Sequence, residues 1–428
     1  MDYGLIGMPL GHSFSKPIHE KLGGYAYELC PLTEQGVETL LRERRFKGLN
    51  VTIPYKRFVL PLCDEIDPRA SAIGAANTIV NRGGRLAAYN TDYDGFLYLA
   101  RQLGVSFKGK TVLILGSGGT RRTVAAVAQA EGAAQILIAS RRPGPGLISY
   151  EAACGEKGVQ ILVNATPVGM YPDCGGLPLN PAAFPRLEAV LDAVYNPLRT
   201  RLVQEALALG VPACGGLPML AAQAKRAAEL FLGTSLGETA IADISREMWQ
   251  ARSNLVLIGM PGSGKTAVGR ACAQLLGRPF VDVDEAVAEA AGKPIAAIFQ
   301  EGGEAAFRKM EARAIQAAAR ETGQVVATGG GAVLRPGNVA RLRQNGVLLH
   351  LTRPLERLAL GGGRPLSQSR ADLEALWARR APLYAAAAQA TVENAGSVAE
   401  TARRACAAFL AAAQPPYLKT PTERNTQA

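Results

Sequence analysis

The stretch Leu255-Val-Leu-Ile-Gly-Met-Pro-Gly-Ser-Gly-Lys-Thr266 decides how the second half of this chain folds. Leu255 to Ile258 is an apolar, partly β-branched run that reads as a buried parallel strand. It runs straight into Gly259-x-x-x-x-Gly264-Lys265-Thr266, the Walker A pattern. Glycines there let the backbone curl so that successive N–H groups converge on a phosphate. The helical pattern that follows, Ala267 to Leu276, adds the positive end of its dipole. In this reading Gly262, Ser263 and Gly264 form the cradle, Lys265 reaches the β- and γ-phosphates, and the Thr266 hydroxyl binds Mg²⁺. The bland alternative is a glycine-rich turn that only links strand to helix; the strand before it and the helix after it favour the cradle.

Downstream of the cradle, Pro279-Phe-Val-Asp-Val-Asp284 reads as a strand whose tip presents Asp282 and Asp284 at alternate positions on one side. Two acids near a triphosphate serve a metal ion and a nucleophilic hydroxyl; a strand end followed by a helix N-cap is the competing reading. Val325-Val-Ala-Thr-Gly-Gly-Gly331 is a second strand ending in free backbone donors. Gly361-Gly-Gly-Arg-Pro-Leu366 reads as mobile by composition, and Arg379-Arg-Ala-Pro-Leu-Tyr384 as part of a helix.

From about Ser253 to Ala412 these segments resemble shikimate kinase. The discriminating set is Asp282-x-Asp284, Gly303-Glu-x-x-Phe-Arg308, the glycines 329–331, Arg364-Pro-Leu and Arg380-x-Pro-Leu-Tyr384. The resemblance implies that Arg308 and Arg380 clamp a substrate carboxylate, with N–H donors from Gly330 and Gly331. It implies that Asp284 binds the acceptor hydroxyl as candidate base, that Asp282 supports Mg²⁺, and that Arg364 swings in on a lid over the phosphates of ATP.

The first half has a different texture. Tyr3 to Gly7 reads as a strand opening into a loop with Ser13 and Ser15, which either hold a carboxylate or simply cap a helix. Leu49 to Ile53 is a strand ending at Pro54, which places Lys56 near a strand tip. Asn77 and Asn90 suit turns, and Asp92 suits a helix N-cap. Lys110 to Gly116, the turn Gly116-Ser-Gly-Gly119, a helix from Thr120 to Glu131 and a strand Gln135 to Ser140 then form a βαβ unit with a dinucleotide fingerprint. An NAD site would want an acid where Ser140-Arg141-Arg142 stand; arginines suit a 2′-phosphate. Later strands lead into Ala165-Thr-Pro-Val-Gly-Met170 and Tyr195-Asn-Pro-Leu198, at the carboxyl edge where ligands sit in open α/β sheets.

This half, Met1 to about Trp249, resembles shikimate dehydrogenase. The matching segments are His12-Ser-Phe-Ser15, Asn50-Val-Thr-Ile-Pro-Tyr-Lys56, Ala76-Asn-Thr78, Asn90-Thr-Asp92, Gly116-Ser-Gly-Gly119, Asn164 to Met170, Tyr195 to Leu198 and Gly216 to Gln223. The resemblance implies that Ser13, Ser15 and Thr52 hold the substrate carboxylate and nearby polar groups. Asn77, Asp92 and Gln223 hold ring hydroxyls, with Tyr195 nearby, and Lys56 and Asp92 are the catalytic pair. Gly116, Ser117, Gly118, Gly119, Thr120, Ser140, Arg141, Arg142, Thr166 and Met170 would bind NADP(H). Hydride delivery to a ketone builds negative charge on oxygen, which an ammonium can protonate or stabilise. Two positions depart from the family. Lys16 stands where proline is usual, and Arg121 stands where the fingerprint has a small residue, which questions close helix–strand packing. The crossover from Pro143 to Gly158 is also short.

The fold expected is therefore α/β: a two-domain dehydrogenase (an α/β substrate domain plus a Rossmann-like NADP domain) followed by a P-loop α/β kinase domain with a central parallel sheet. The expected boundaries are 1–100 plus about 232–249 for the substrate domain and 101–231 for the NADP domain. A linker at 250–254, the kinase at 255–412 and a disordered tail at 413–428 complete the chain. Its 428 residues suit about three structural units.

The remaining composition bounds the partners. Hydrophobic content of 48% with 19% charged residues describes a globular protein. A net charge of +11, spread without aromatic-interleaved basic runs, points to anionic small molecules (3-dehydroshikimate and shikimate, by resemblance) and away from nucleic acid. Neither a membrane span nor a secretory leader is legible at Met1-Asp-Tyr-Gly. Seven scattered cysteines and three histidines suit a reducing cytoplasm. Monomer and dimer both remain open. Two competing functions stand beside the two-enzyme reading. One is a ligand-sensing regulator built from degenerate domains, which predicts loss of Lys56, Asp92 or Lys265; the other is a quinate-preferring NAD dehydrogenase fused to the kinase.

Overall fold

Short apolar strands alternating with amphipathic helices build three sheets in sequence order. The computed structural model describes residues 1–10, 14–358 and 369–418. The first sheet holds β1 (Tyr3–Gly7), β2 (Glu28–Pro31), β3 (Gly48–Val51), β4 (Glu65–Ile66), β5 (Thr78–Arg82) and β6 (Arg85–Tyr89), in the order β2-β1-β3-β5-β6-β4. β1 runs parallel to β2 and β3, whereas β5 is antiparallel to β3 and β6. The antiparallel pairing of β5 with β6 is local in origin. Gly83 and Gly84 join β5 to β6 with φ of 59° and 91°, the backbone that a tight hairpin needs and that side chains resist.

The second sheet is wholly parallel: β7 (Thr111–Leu115), β8 (Gln135–Ala139), β9 (Ile161–Asn164), β10 (Ala189–Asp192) and β11 (Ala213–Cys214), in the order β11-β10-β9-β7-β8. Its central strands read as unbroken apolar runs because both faces are covered. The short crossover after β8 yields only a six-residue helix, Tyr150–Gly155, and leaves β8 at an edge. Arg121 is half-buried, with an Nε that has no hydrogen-bond partner among the described residues, but it lies outside the packed face of its helix. The helix Gly119–Ala130 buries Thr123, Val124, Val127 and Ala128, an i, i+4 face that begins after the arginine.

The third sheet is also parallel: β12 (Asn254–Ile258), β13 (Phe280–Asp282), β14 (Val325–Ala327), β15 (Gly346–Thr352) and β16 (Ala390–Glu393), in the order β13-β14-β12-β15-β16. β12 feeds two cores by the two-residue period of a strand. Val256 and Ile258 join Val283, Ile315 and Tyr384; Leu255 and Leu257 join Val268, Val347 and Phe409. Each such fully buried side chain is worth about 1.5–3 kcal/mol relative to exposure.

These sheets and their helices form two units. The first comprises Met1–Asn196, Leu202–Ser245 and the described residues from Pro416 on; the second comprises Pro197–Arg201 and Arg246–Pro415. Among the described residues no helix is long and apolar enough to cross a membrane.

Several expected boundaries move. Helix Leu217–Leu232, expected within the NADP domain, lies against helix Thr91–Gln102 of the preceding segment. Their approach is so close that a Cβ on Gly95 would sit 2.5 Å from the Met219 carbonyl. Phe231 covers Gly48 of β3, so the chain returns to the first sheet about one helix earlier than position 232. No separate linker spans 250–254: helix Ala240–Arg252 runs to within one residue of β12, and Ser253 Oγ donates to the Trp249 carbonyl at 2.7 Å. The tail is ordered farther than its composition implies, since Pro416–Leu418 forms a 3₁₀ turn with Tyr417 buried. The expectation of disorder beyond that turn concerns 419–428, outside the described residues.

Candidate functional sites

In the first unit, the polar side chains of four separated segments converge. Lys56 follows β3 in a loop whose Lys56 carbonyl accepts from Ala76 N, and Asp92 opens helix Thr91–Gln102. Lys56 Nζ donates to Asp92 Oδ2 at 2.6 Å, both side chains largely enclosed. Asn77 Nδ2 donates to Asp92 Oδ1 and Thr91 Oγ1, each at 3.0 Å, and to Gln223 Oε1 at 3.4 Å. Asn77 Oδ1 in turn accepts from Thr91 N at 2.7 Å, so Asn77 itself serves as the cap of that helix. Gln223 comes from the returning helix Leu217–Leu232, which is why the close approach at Gly95 matters. Behind them, Asn50 Nδ2 bonds the Asn77 carbonyl and Thr78 Oγ1, and Tyr27 OH donates to Asn50 Oδ1 at 2.7 Å. Thr52 N bonds the Ile6 carbonyl beside this group, and Tyr195 packs its ring on Phe14, 5.2 Å between centroids, next to Ser15. Ser13 lies outside the described residues.

The glycine turn of the second sheet stands open. A Cβ added at Gly118 or Gly119 would meet nothing within 4 Å, and Ser117, Arg141 and Arg142 are exposed. Gly116 is the opposite case, pressed against Thr166 and the Ala165 carbonyl. Thr166 is fixed by Asn164 Oδ1, which accepts from its N at 3.0 Å and its Oγ1 at 2.7 Å, and Asn164 is tied to Asp192 at 2.9 Å. Ser140 Oγ accepts from Arg142 N at 3.3 Å, Thr120 lies in the first helical turn, and Met170 is 43% exposed nearby in sequence to Thr166. An exposed helix N-terminus with flanking arginines fits a dinucleotide carrying an extra phosphate.

The second unit encloses a cavity of about 360 Å³. Its lining includes Gly262, Gly264, Lys265, Thr266, Asp282, Asp284, Arg308, Glu311, the glycines 329–331 and Arg380. Lys265 Nζ donates to the Gly259 and Met260 carbonyls, both at 2.9 Å, closing the loop on itself. Thr266 Oγ1 donates to Asp282 Oδ2 at 2.7 Å, a hydroxyl–carboxylate pair whose hard oxygens fit Mg²⁺. The alternate-position expectation for the two acids needs correcting. Asp282 ends β13 and caps helix Val283–Ala291, accepting from Asp284 N and Glu285 N, while Asp284 belongs to that helix. The cap and metal-side readings are thus compatible, one for each carboxylate oxygen.

Charge in this cavity is unevenly compensated. Arg308 follows a break at Gly303 in helix Ile295–Arg320, and binds Glu304 Oε1 (3.1 and 2.9 Å) and Glu311 Oε2 (2.8 Å). Arg380 is 1% exposed, yet its Nε and Nη2 have no hydrogen-bond partner among the described residues. Orphaned guanidinium nitrogens in a cavity wall fit an arriving carboxylate. Asp284 Oδ1 also has no partner among the described residues. Burial pushes the Asp284 carboxyl up to about 6, reinforced by Asp282 and Glu311 and opposed by Lys265 and Arg308. The glycines 329–331 are required by crowding. A Cβ on Gly329 would lie 2.6 Å from Asp284 Oδ1 and 2.8 Å from Glu311 Oε1, and one on Gly331 would strike the Arg308 guanidinium. Tyr384 OH donates to the Gly330 carbonyl at 2.5 Å and steadies that segment.

Comparison with known proteins decides the family. The chain is 38% identical over 261 residues to a shikimate dehydrogenase (NADP⁺) of Halothermothrix orenii, covering 54% of this chain and 90% of that relative. The chain belongs to the shikimate dehydrogenase family. Residues 5–79 match the family model described as shikimate dehydrogenase substrate binding domain. Its C-terminal part is a shikimate kinase domain, matched over residues 261–411. Among solved structures, a Thermus thermophilus shikimate 5-dehydrogenase in complex with NADP(H) and shikimate shares 32% identity at a TM-score of 0.52. That likeness covers 58% of this chain and 99% of that one. A chorismate mutase/shikimate 5-dehydrogenase fusion protein of Clostridium acetobutylicum is 34% identical with a TM-score of 0.54, over 57% and 96% of the two chains.

In the dehydrogenase half the structure brings Lys56, Asp92, Asn77 and Gln223 into one bonded group. In the kinase half it gathers the phosphate loop, Asp282, Asp284, Arg308, Arg380, Gly330 and Gly331. Arg364 lies outside the described residues. Asn50, Thr91 and Glu304 stood inside the quoted motifs without a role, and Glu311 was missed. Glu304 and Glu311 stand at i−4 and i+3 from Arg308, the helix spacing at which an acid meets an arginine, and that spacing was the available signal.

Proposed function

We infer that the chain catalyses two consecutive reactions on one cyclic hydroxy acid. In the first, 3-dehydroshikimate is reduced to shikimate; NADPH supplies the hydride. In the second, the 3-hydroxyl of shikimate accepts the γ-phosphoryl group of ATP, giving shikimate 3-phosphate. The observation that carries the reading is the make-up of the 360 Å³ cavity. There a phosphate loop, a buried arginine with two nitrogens unpartnered among the described residues and a carboxyl lifted to about 6 line one cavity.

In the first reaction Lys56 Nζ protonates or stabilises the carbonyl oxygen as charge builds on it. Asp92 Oδ2 fixes the direction of that ammonium, while Asp92 Oδ1, Asn77 and Gln223 hold ring hydroxyls. Thr52, Ser13 and Ser15 take the carboxylate end, with Tyr195 beside them. Ser117 to Thr120 hold the pyrophosphate, Ser140, Arg141 and Arg142 the 2′-phosphate, and Thr166 and Met170 the nicotinamide side.

In the second reaction Arg308 and Arg380 grip the substrate carboxylate, aided by N–H donors of Gly330 and Gly331. Asp284 takes the proton from the acceptor hydroxyl, a role served by a carboxyl whose pKa lies near neutrality. Gly262 to Thr266 cradle the phosphates, and Thr266 with Asp282 supports Mg²⁺. Arg364 is assigned to the phosphates on family resemblance alone. The substrates are small molecules; a cytoplasmic location and independence from nucleic acid and membrane belong to the same proposal, with monomer or dimer left open.

The regulator reading requires a lost catalytic group, and Lys56, Asp92 and Lys265 all stand in place. A quinate-preferring NAD enzyme is disfavoured by the exposed Arg141–Arg142 pair. Purified full chain supplied with 3-dehydroshikimate tests the proposal. NADPH should be consumed much faster than NADH, and adding ATP should convert the product to shikimate 3-phosphate. Consumption of neither nicotinamide, or a product untouched by ATP, would refute the corresponding half.

A further inference from the structure

Asn394 lies just after β16, outside every motif that carried the resemblance. It is 8% exposed and held on three sides. Its backbone N donates to the Thr352 carbonyl at 2.8 Å, and its side-chain Oδ1 accepts from Thr401 Oγ1 at 3.1 Å. Thr401 is fully buried in helix Val398–Ala412. With the oxygen occupied, the amide nitrogen can face only one way. Nδ2 donates to the Ser263 carbonyl, in the middle of the phosphate loop, at 2.8 Å.

That bond reaches the phosphate site through the peptide plane. In a trans peptide the C=O of one residue and the N–H of the next point in opposite directions. Holding the Ser263 carbonyl toward Asn394 therefore holds the Gly264 N–H away from Asn394. Gly264 must also be glycine on two counts: its φ is 95°, and a Cβ there would stand 2.5 Å from Asn394 Nδ2. The loop and the asparagine amide occupy complementary space.

We propose that Asn394 is a positioning residue for the kinase. By pinning the Ser263 carbonyl it turns the Gly264 N–H toward the triphosphate, and Thr401 sets the amide orientation that makes this possible. The proposal rests on the kinase reading of this domain. Its effect falls on the nucleotide and not on the hydroxy acid, because Asn394 touches the loop from the side of β16 and does not line the cavity.

The test uses the full chain with Asn394→Ala, Asn394→Asp, Asn394→Ser and Thr401→Val. Asn394→Ala should raise the KM and Kd for ATP roughly tenfold, the size expected for one lost hydrogen bond to a loop that carries charge. KM for shikimate should stay within about twofold, since its ligands are untouched. Asn394→Asp should be worse than alanine, because it sets an acceptor against the Ser263 carbonyl. Asn394→Ser, which keeps a donor, should recover part of the loss. NADPH-dependent reduction by the same molecules serves as the internal control. Should Asn394→Ala unfold the kinase domain, seen as a missing thermal transition, the Thr401→Val and Asn394→Ser pair carries the comparison. Equal losses for ATP and shikimate, or an unchanged ATP affinity, would overturn the role. Absence of ATP binding in the unsubstituted chain would instead overturn the kinase reading itself.

Discussion

Lys56 Nζ and Asp92 Oδ2 stand 2.6 Å apart, joined across the gap between a loop after β3 and the first turn of helix Thr91–Gln102. Asp92 cannot turn away, because Asn77 Nδ2 holds its other oxygen at 3.0 Å. The ammonium is therefore aimed before any substrate arrives, which lowers the reorganisation that the hydride step demands. Asp92→Asn preserves shape but removes the charge, and should cut dehydrogenase kcat by about 10²- to 10⁴-fold. Steady-state rates of both reactions on the same preparation check this, with phosphoryl transfer expected to be unchanged.

Selectivity for NADPH should reside in Arg141 and Arg142, exposed beside the glycine turn. Alanine at both should raise KM for NADPH by roughly 10- to 100-fold, the loss expected for charge-assisted bonds to a phosphate. KM for NADH should hardly move. Parallel titrations with the two nicotinamides make the comparison.

Asp284 couples function to stability. Its carboxyl titrates near 6 in the folded protein, above its ordinary value of 3.8. Such a raised group costs folding nothing below the unfolded value, the cost builds as pH rises from 3.8 to about 6, and it is full and constant above that. Asp284→Asn should abolish phosphoryl transfer yet stabilise the kinase domain at pH 7–8, by about 1–3 kcal/mol, with the gain gone near pH 4. Thermal melts across that pH range test the sign.

The same titration should appear in the rate. kcat/KM for shikimate in the kinase reaction should fall below about pH 6 with a single-proton slope, as the candidate base becomes protonated. A flat profile through that range would remove Asp284 from the role.

Gly329→Ala supplies a steric test. The new methyl would approach Asp284 Oδ1 and Glu311 Oε1 within 2.6 and 2.8 Å, and both lie at the cavity wall. Kinase activity should drop by more than about 100-fold, since misplacement by an ångström is enough. The dehydrogenase rate should be retained.

Motifs whose residues are adjacent in sequence were fully legible. The phosphate loop, the glycine turn with its arginines, and the strands that lead into them in the two parallel sheets emerged where apolar period and glycine spacing placed them. What escaped were partners set by tertiary contact. Asn394 reaches the phosphate loop from 131 positions away, whereas Gln223, which meets Asn77 across 146, was placed beside it by family resemblance alone. Nothing in a local window signals such pairs. Asp282 illustrates a different limit: a strand tip and a helix cap coincide in one residue, and the two-residue strand period was carried two residues too far, through Val283 to Asp284. The expected boundary at 231 set the segment Leu217–Leu232 in the NADP domain, and its return to the first sheet escaped because the decisive feature is the fit at Gly95.

One chain carrying two independent sites that act in turn on the same acid is the claim on which the rest depends. NADPH oxidation and shikimate 3-phosphate formation, followed together in one reaction for the unsubstituted chain, Lys56→Met and Lys265→Met, test it most directly. The unsubstituted chain should form one phosphorylated product per NADPH consumed. Lys265→Met should reduce without phosphorylating, and Lys56→Met should phosphorylate added shikimate without reducing. Mixing the two variants should restore the full sequence. Loss of both reactions from either single substitution would contradict it.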